Sequence, residues 1–269
     1  SQTVPVSFHF NYDTYALSKL TSEAVTKAGG NTWYFISADY AFGHALQRDA
    51  TKFIEAAGGK VIGSAAHPLG STDMASFLLQ AQGSKAKVVG LATSGADVQT
   101  AIKQAGEFGI VESGQQLAGL LVFITDVNAL GLKATQGLQV TTSFYWDLND
   151  ETRAWAKRYF AATGGKVPSM VQAGVYSGVH HYLAAVKAAG TKDPTVVAQK
   201  MREMKVNDMY NKNVTIRPDG RVLHSMYLVQ VKKPDESKYK YDYYKVLTTS
   251  PGEQAFRPMS EGNCPLVKG

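Results

Sequence analysis

The sequence predicts an α/β protein of two lobes built on doubly wound parallel sheets. One observation is a strand–loop–helix–strand unit, in which an apolar run at residues 33–37 precedes apolar residues at helical spacing from Phe42 to Ala57. Gly58 and Gly59 end that helix before the next apolar run at residues 60–63. The same pattern returns along the chain, and 269 residues is long for one domain.

The other elements of this region follow from capping residues and apolar spacing. Asp13 can cap a helix over residues 14–28. The polar turn before Met74 can start a helix that carries four apolar side chains inward, namely Met74, Phe77, Leu78 and Ala81. The remaining elements that we predict are strands at 87–92, 117–125 and 137–143 and a helix at 98–107.

Four of the strands end in loops that are rich in polar or aromatic side chains. These loops are residues 38–43, 93–97, 126–128 and 144–147. Helical crossovers make the strands parallel, so the four loops share one edge of one sheet. Because small ligands bind at that edge in open α/β sheets, we expect a small-molecule site there.

Beyond Asp147 the pattern becomes helical. Three amphipathic helices are predicted, beginning near Asn149, Ser169 and Asp193, and two antiparallel strands follow at 226–232 and 241–247. The second helix is expected to bury Val175, Val179, Leu183 and Val186. This part of the sequence supplies no sheet that could cover these helices. We therefore expect an incomplete first lobe with exposed apolar helix faces, unless an upstream segment covers them.

These observations divide the chain into three regions. Residues 10–146 form a complete ligand-binding second lobe, and 147–220 form the helical part of the first lobe, whose N-terminal strands are absent from the chain. Residues 221–269 form a hinge return, a hairpin and a tail.

Composition excludes several classes of function. The net charge of +6 comes from basic residues scattered along helices, which is typical of a solvated surface, so no nucleic-acid partner is expected. No apolar run is long enough to cross a bilayer, and no stretch has the pattern of a signal peptide, so we expect that any export signal has already been removed. The single cysteine, Cys264, excludes an internal disulfide and a cysteine metal cluster.

The motifs of enzymes are missing as well. The sequence has neither the dinucleotide fingerprint nor the phosphate loop, and Ser94 lacks the flanking glycines of a nucleophile elbow. His180 and His181 point in different directions on a helix, with no carboxylate at ligand spacing. The sequence therefore predicts a protein that is not an enzyme and has no metal and no cofactor.

Several short motifs, in a fixed order along nearly the whole chain, carry a resemblance to a known family. They are Asp39-Tyr-Ala-Phe-Gly43, Pro68-Leu-Gly-Ser-Thr-Asp73, Lys103-Gln-Ala-Gly-Glu-Phe-Gly109, Gly137-Leu-Gln-Val, Val175-Tyr176 and Ile216-Arg-Pro-Asp-Gly-Arg221. With them the chain resembles the substrate-binding proteins of ABC importers in the branched-chain amino-acid, amide and aromatic-acid group. That group has the two-lobed type I periplasmic binding protein fold. The family begins with βα units of the first lobe that this chain does not contain.

The resemblance implies roles for individual residues. Phe42 matches an aromatic position that flanks the ligand, and Tyr176 matches an aromatic of the first lobe, although either could be a packing residue. Thr93 and Ser94 stand where family members place a contacting aromatic. Asp126 matches the position at which amino-acid binders place a glutamate against the ligand ammonium, or it is a helix or turn cap.

The resemblance also implies a function. We expect a periplasmic protein that closes its lobes by hinge motion around a ligand and delivers it to an inner-membrane ABC permease; a sensory receptor domain of the same fold is the alternative. Tyr40, Phe42, Phe144 and Tyr145 could enclose an apolar or aromatic body. Thr93, Ser94 and the Gly95 amide could bind a carboxylate. If Asp126 is ionised and faces the cleft, it favours an amino acid over a plain aromatic acid, and an aromatic acid with a hydroxyl group remains an alternative, since that hydroxyl could donate to Asp126.

Overall fold

The computed structural model describes residues 6–262, 264, 265 and 267. The chain divides into two compact units. Unit 1 contains Ser1–Tyr12, Ser143–Met226 and Thr249–Gly269, and unit 2 contains Asp13–Thr142 and Tyr227–Thr248. The chain therefore passes between the units after residues 12, 142, 226 and 248.

A seven-stranded mixed sheet is the centre of the fold. Its strand order is β2-β1-β3-β4-β5-β6-β7. Strands β1 to β5 are parallel to one another, and β6 is antiparallel to β5. The strands are Thr32–Ala38 (β1), Lys60–His67 (β2), Val88–Ala92 (β3), Gln116–Gly119 (β4), Gln139–Thr142 (β5), Met226–Val231 (β6) and Tyr244–Ser250 (β7).

The helices that connect the parallel strands make the sheet doubly wound. In the sheet, β2 and β3 lie on either side of β1. The chain runs from β1 to β2, and the connection after β2 then passes β1 to reach β3. Right-handed crossovers place these two connections on opposite faces of the sheet. Helix α1, Thr14–Lys27, precedes β1, and the connecting helices are Ala41–Ala56 (α2), Ala75–Gly83 (α3), Gly95–Glu107 (α4), Ile124–Leu130 (α5) and Leu132–Thr135 (α6).

The core of unit 2 lies around β1. Trp33, Phe35 and Ile36 are fully buried, because a central parallel strand is covered on both faces. The Trp33 indole N–H is satisfied within the core by the hydroxyl of Thr26 at 3.0 Å. This burial fixes the register of β1 and hence the position of the loop that follows it.

Unit 1 contains the helices Asp150–Thr163 (α7), Met170–Ala189 (α8), Pro194–Glu203 (α9) and Gly252–Ala255 (α10). Asn149, Ser169 and Asp193 cap the first three of these helices with their side chains, and the helices begin where the sequence predicts. Short bridges join His9 to Arg221, Val206 to Val214 and Ile216 to Val222. Beneath these bridges an apolar cluster joins Phe10 to residues of α8 and α9.

Two sequence-based expectations about these elements are wrong. The strand predicted at 117–125 ends at Gly119, and Ile124 begins α5, because residues 120–123 form a largely buried loop instead of continuing the sheet. The stripe predicted to be buried on α8 is largely exposed, with Val175, Val179 and Leu183 at 53%, 52% and 57%. Helix α8 instead buries its opposite, small-residue face, which includes Ala173, Gly174, Ser177 and Ala185. The expected exposure of apolar helix faces is thus confirmed.

Within the described ranges, every helix is too short or too polar to span a bilayer.

Candidate functional site

The strand order of unit 2 has a switch point between β1 and β3. These two strands are hydrogen-bonded neighbours, but the loops at their carboxyl ends lead to helices on opposite faces of the sheet. Where such loops diverge they leave a crevice, and ligands of open α/β sheets bind there. Five of the eight predicted site residues lie in these two loops or in the first turns of the helices that follow them: Tyr40, Phe42, Thr93, Ser94 and Gly95.

The β1 loop presents two aromatic side chains. The ring centroids of Tyr40 and Phe42 are 5.8 Å apart, and Tyr40 is exposed while Phe42 is half-buried. Gly43 permits this arrangement, because a Cβ there would lie 2.1 Å from the Ala38 carbonyl oxygen at the end of β1. Helix α2 therefore starts in direct contact with the strand end, and the two rings stay at the edge of the sheet.

The β3 loop presents the start of helix α4. Ser94 is the N-cap residue by backbone conformation, yet its side chain makes no capping hydrogen bond. The first amide groups of a helix have no intrahelical acceptor, and with the helix dipole they attract anions. Gly95 begins the helix at φ +62°, a conformation that favours glycine. The amide groups in the first turn of α4 can therefore donate hydrogen bonds to an acceptor group of a ligand.

Thr93 lies below the surface of the same loop. Its side chain is buried, and its hydroxyl has no hydrogen-bond partner among the described residues. The accessible hydroxyl at this position is that of Ser94, which is half-buried.

Asp126 lies in the first turn of α5, at the end of the loop after β4. Its Oδ2 accepts a hydrogen bond from the Phe123 N–H at 2.8 Å, and its Oδ1 accepts one from the Gln99 side-chain amide at 2.6 Å. Gln99 belongs to α4, so Asp126 links the beginnings of two helices at the candidate edge. This is the helix-cap geometry that the sequence left open for Asp126.

Burial raises the pKa of the Asp126 carboxyl above its ordinary value, and the hydrogen bonds from Phe123 and Gln99 lower that pKa in part. Both donors are neutral, and no ion pair joins Asp126 to a described lysine or arginine. The carboxylate is therefore hydrogen-bonded without a countercharge from the described chain.

The last two predicted site residues belong to unit 1. Tyr145 is buried and lies edge-on to Trp146, with ring centroids 6.3 Å apart. Tyr176 on α8 is half-buried, stacks on His180 at 5.8 Å and meets Trp155 edge-on at 5.5 Å. Tyr176 is therefore part of an aromatic cluster of unit 1.

Two residues at the candidate edge were missed by the sequence reasoning. Phe123 is a half-buried aromatic in the loop after β4, and it was hidden inside the strand predicted at 117–125. Gln99 holds Asp126 from α4, a long-range pairing without a local sequence signal. Among the described residues there is also no group of three histidine, cysteine or carboxylate side chains that could hold a metal ion.

A doubly wound sheet with aromatic rings and an uncapped helix at its switch point defines a class of small-molecule binding proteins. The chain belongs to the periplasmic binding protein family, whose model matches residues 1–238. The fold is accordingly the type I periplasmic binding protein fold expected from the sequence.

Solved structures agree with this assignment. A periplasmic binding protein from Burkholderia mallei is 52% identical, with a TM-score of 0.95 over 99% of this chain and 70% of that one. A branched-chain amino acid ABC transporter periplasmic ligand-binding protein from Burkholderia xenovorans LB400 is 39% identical, with a TM-score of 0.85 over 96% and 69%. A solute-binding protein from Rhodopseudomonas palustris BisB5, in complex with 3,4-dihydroxybenzoic acid, shares the fold at 20% identity, with a TM-score of 0.79 over 90% and 66%. No curated protein matches the chain.

Proposed function

We propose that this chain is the larger part of a periplasmic solute-binding protein. In this proposal it captures a small amino-acid-like or aromatic carboxylate by hinge closure and delivers it to the permease of an ABC importer. The observation that carries the proposal is the switch point between β1 and β3, which has the Tyr40 and Phe42 rings on one side and the uncapped start of α4 on the other.

The two sides of the switch point suit the two ends of such a ligand. The amides at the start of α4 and the Ser94 hydroxyl bind the carboxylate, and Tyr40 and Phe42 cover the apolar body. The Burkholderia xenovorans relative, described as a branched-chain amino acid transporter protein, supports an aliphatic body. The dihydroxybenzoic acid complex of a protein with the same fold supports an aromatic one.

Asp126 decides between the two ligand types. An ionised carboxylate has about four acceptor positions, and the described chain fills two of them with neutral donors. Because a buried charge without a countercharge is costly, the ammonium group of an amino acid would stabilise the ionised form. We therefore place an amino-acid-like ligand first.

The remaining parts of the proposal come from the family. The protein is periplasmic and not an enzyme, and a further segment of the same protein completes its first lobe. The chain spans 70% of the Burkholderia mallei protein, which leaves room for such a segment.

Calorimetric titration of the full-length protein with leucine, phenylalanine and 4-hydroxybenzoate tests the proposal. Phe42→Ala should weaken the bound ligand about tenfold or more, since a covering ring is lost. Phe108→Ala is the matched control, because Phe108 is an exposed aromatic at the opposite end of α4. Absence of binding for all three ligands, or equal effects of the two substitutions, would contradict the proposed site.

A further inference from the structure

A buried carboxylate that the proposed function does not use, that of Asp97, lies in the first turn of α4, the helix whose start is proposed to bind a ligand carboxylate. Its Oδ2 accepts a hydrogen bond from the Gly70 N–H at 3.1 Å, and only 6% of the residue is exposed. No ion pair joins Asp97 to a lysine or arginine in the part of the chain that the structure describes. Its negative charge stabilises the helix and lies within about one turn of the amides of Ser94 and Gly95.

His67 is a neighbour of Asp97 that could supply a positive charge, but its hydrogen bonds fit the neutral ring. Its Nδ1 lies 4.0 Å from Asp97 Oδ2 and 2.8 Å from the Pro68 carbonyl oxygen, so Nδ1 carries the proton that this carbonyl accepts. Its Nε2 is buried and has no hydrogen-bond partner among the described residues. A second proton on Nε2 would therefore be an unsatisfied buried donor. With a neutral His67, the carboxylate of Asp97 has no countercharge from the described chain.

The loop between β2 and α3 holds Asp97 in place. The Met74 N–H donates to Gln104 Oε1 at 2.7 Å, and the Gln104 side-chain amide donates to the Thr72 carbonyl at 3.2 Å. Together with the bond from Gly70 to Asp97, these contacts fasten the loop to α4 at two points that are about two helical turns apart. The charge of Asp97 is therefore a fixed part of the helix start and not a mobile charge on the surface.

Asp126 adds a second carboxylate to the same helix start, because it accepts a hydrogen bond from Gln99 of α4 at 2.6 Å. The helix start also offers donors, namely its first amides and the Thr93 hydroxyl, which is buried and has no partner among the described residues. These donors suit one ligand carboxylate. The two protein carboxylates disfavour a ligand with net negative charge and favour one that also brings a cationic group.

We propose that Asp97 is a specificity-determining residue, which makes this site select ligands without net charge over anionic ligands. A zwitterionic amino acid is accepted, because the attraction of its ammonium group to Asp97 and Asp126 offsets the repulsion of its carboxylate. A plain carboxylic acid, or an amino acid with a second carboxylate, brings an uncompensated negative charge. Across about one helical turn, repulsion between like charges corresponds to about tenfold or more in affinity. The inference rests on the proposed function, because it requires a ligand carboxylate at the start of α4.

Asp97→Asn in the full-length protein tests this proposal, because the asparagine carbonyl can still accept from the Gly70 N–H while the charge is removed. In calorimetric titration, the affinity for 4-hydroxybenzoate and for glutamate should rise about tenfold or more, and the affinity for leucine should change less than about threefold. Asp97→Ser, a second neutral variant, should show the same preference. Asp97→Glu keeps the charge and should keep the low affinity for both anions, a result that a purely structural role of Asp97 does not predict.

Asp73→Asn is the matched control. Asp73 lies in the same loop but is exposed, and its Oδ1 accepts from the Ala75 N–H, a bond that asparagine can also accept. Because water and salt screen an exposed charge, all three ligands should bind this variant as they bind the natural sequence.

The proposal fails if Asp97→Asn changes the affinities for leucine and for the two anions by the same factor, or if neither anion gains affinity. It also fails if Asp73→Asn has the same effect as Asp97→Asn, or if the natural sequence binds either anion more tightly than leucine. In each of these cases a ligand still binds the natural sequence, so the proposed function stands. If no titrated ligand binds the natural sequence or Asp97→Asn, the proposed function and this inference fail together.

Discussion

At the scale of the residue, Asp126 combines a structural and a candidate binding role. Its two oxygens hold the Phe123 N–H and the Gln99 amide, and thereby fix the start of α5 against α4. The same carboxylate has no countercharge among the described residues. A group of this kind can serve as a cap in the free protein and as the partner of a ligand cation in the bound one.

The substitution Asp126→Asn separates these two roles. An amide side chain cannot accept both hydrogen bonds with its two terminal atoms, so the free energy of unfolding should fall by about 1–2 kcal/mol in chemical denaturation. Amino-acid affinity should fall by a further 2–5 kcal/mol, roughly the scale for a desolvated charge pair. Affinity for 4-hydroxybenzoate, where it binds, should change much less. If both ligand types weaken equally in calorimetry, Asp126 acts only as a cap.

The buried side chain of His224 should make the free energy of unfolding depend on pH. Its ring is buried between Tyr210 and Phe256, and burial, with the nearby charge of Arg221, lowers its pKa from 6.5 to about 3. Between these two pH values the unfolded chain binds a proton that the folded chain does not. The free energy of unfolding should therefore fall by about 1.4 kcal/mol per pH unit as the pH drops below 6.5.

The variant His224→Phe keeps an aromatic ring between Tyr210 and Phe256 but cannot be protonated. Urea unfolding between pH 7 and about pH 4 should show a shallower loss of stability in this variant than in the natural sequence. The Asp126 carboxyl changes stability with pH in the opposite direction, because its pKa is raised in the folded protein. Its stabilising contribution to the free energy of unfolding is present at low pH and is lost as the pH rises through that pKa. If the free energy of unfolding of His224→Phe falls with pH as steeply as that of the natural sequence, groups other than His224 control acid unfolding.

At the scale of the element, the contact between α2 and the end of β1 positions the aromatic loop. We expect Gly43→Ala to cost about 1–3 kcal/mol in unfolding free energy, because the new Cβ overlaps the Ala38 carbonyl. It should also weaken ligand binding, since Tyr40 and Phe42 lie between the two displaced elements. Gly83→Ala at the end of α3 is the control, because its Cβ meets nothing within 4 Å. That substitution should be neutral or stabilising by about 0.5–1 kcal/mol. Equal melting temperatures for the two variants would contradict the contact.

Most helices and strands of both units are predictable from sequence because their signals are local. Asp13 and Asp193 cap helices as expected, and Asn149 and Ser169 cap the helices that were expected to begin near them, since capping needs only neighbouring residues. The four strands at the candidate edge are parallel, as helical crossovers require. The boundary between β4 and α5 was not predictable, because an apolar run is compatible with a strand and with a buried loop.

The orientation of α8 shows a different limit. Its valine and leucine stripe has the right period for a helix, so the helix is predicted correctly, but period alone does not say which face the described residues cover. The face that packs inside unit 1 carries Ala173, Gly174 and Ser177, which allow close approach but give little hydrophobic signal. Likewise, the hydrogen bond from Gln99 to Asp126 depends on the folded arrangement of α4 and α5.

At the scale of the whole molecule, the predicted site residues fall into two sets. Tyr40, Phe42, Thr93, Ser94, Gly95 and Asp126 belong to unit 2, and Tyr145 and Tyr176 belong to unit 1. The strand and loop pattern of the sequence also predicts crossings between the lobes near residues 8–11, 144–149 and 217–225. The chain passes between the units four times, and three of these passages lie at or beside the predicted crossings. The passage after Thr248 had no sequence signal, because β7 reads simply as the second strand of a hairpin.

Hinge closure makes a prediction for the full-length protein in solution. If both sets of residues contact one ligand, binding should bring the lobes together, because the ligand gains contacts only in the closed form. Small-angle scattering should then show a smaller radius of gyration at saturating leucine, or at whichever of the three titrated ligands binds. Phe42→Ala should need about tenfold more ligand for the same change. Phe108→Ala should respond as the natural sequence does. A scattering profile that stays constant through saturation, while calorimetry reports binding, would show that capture proceeds without closure and that one unit holds the ligand by itself.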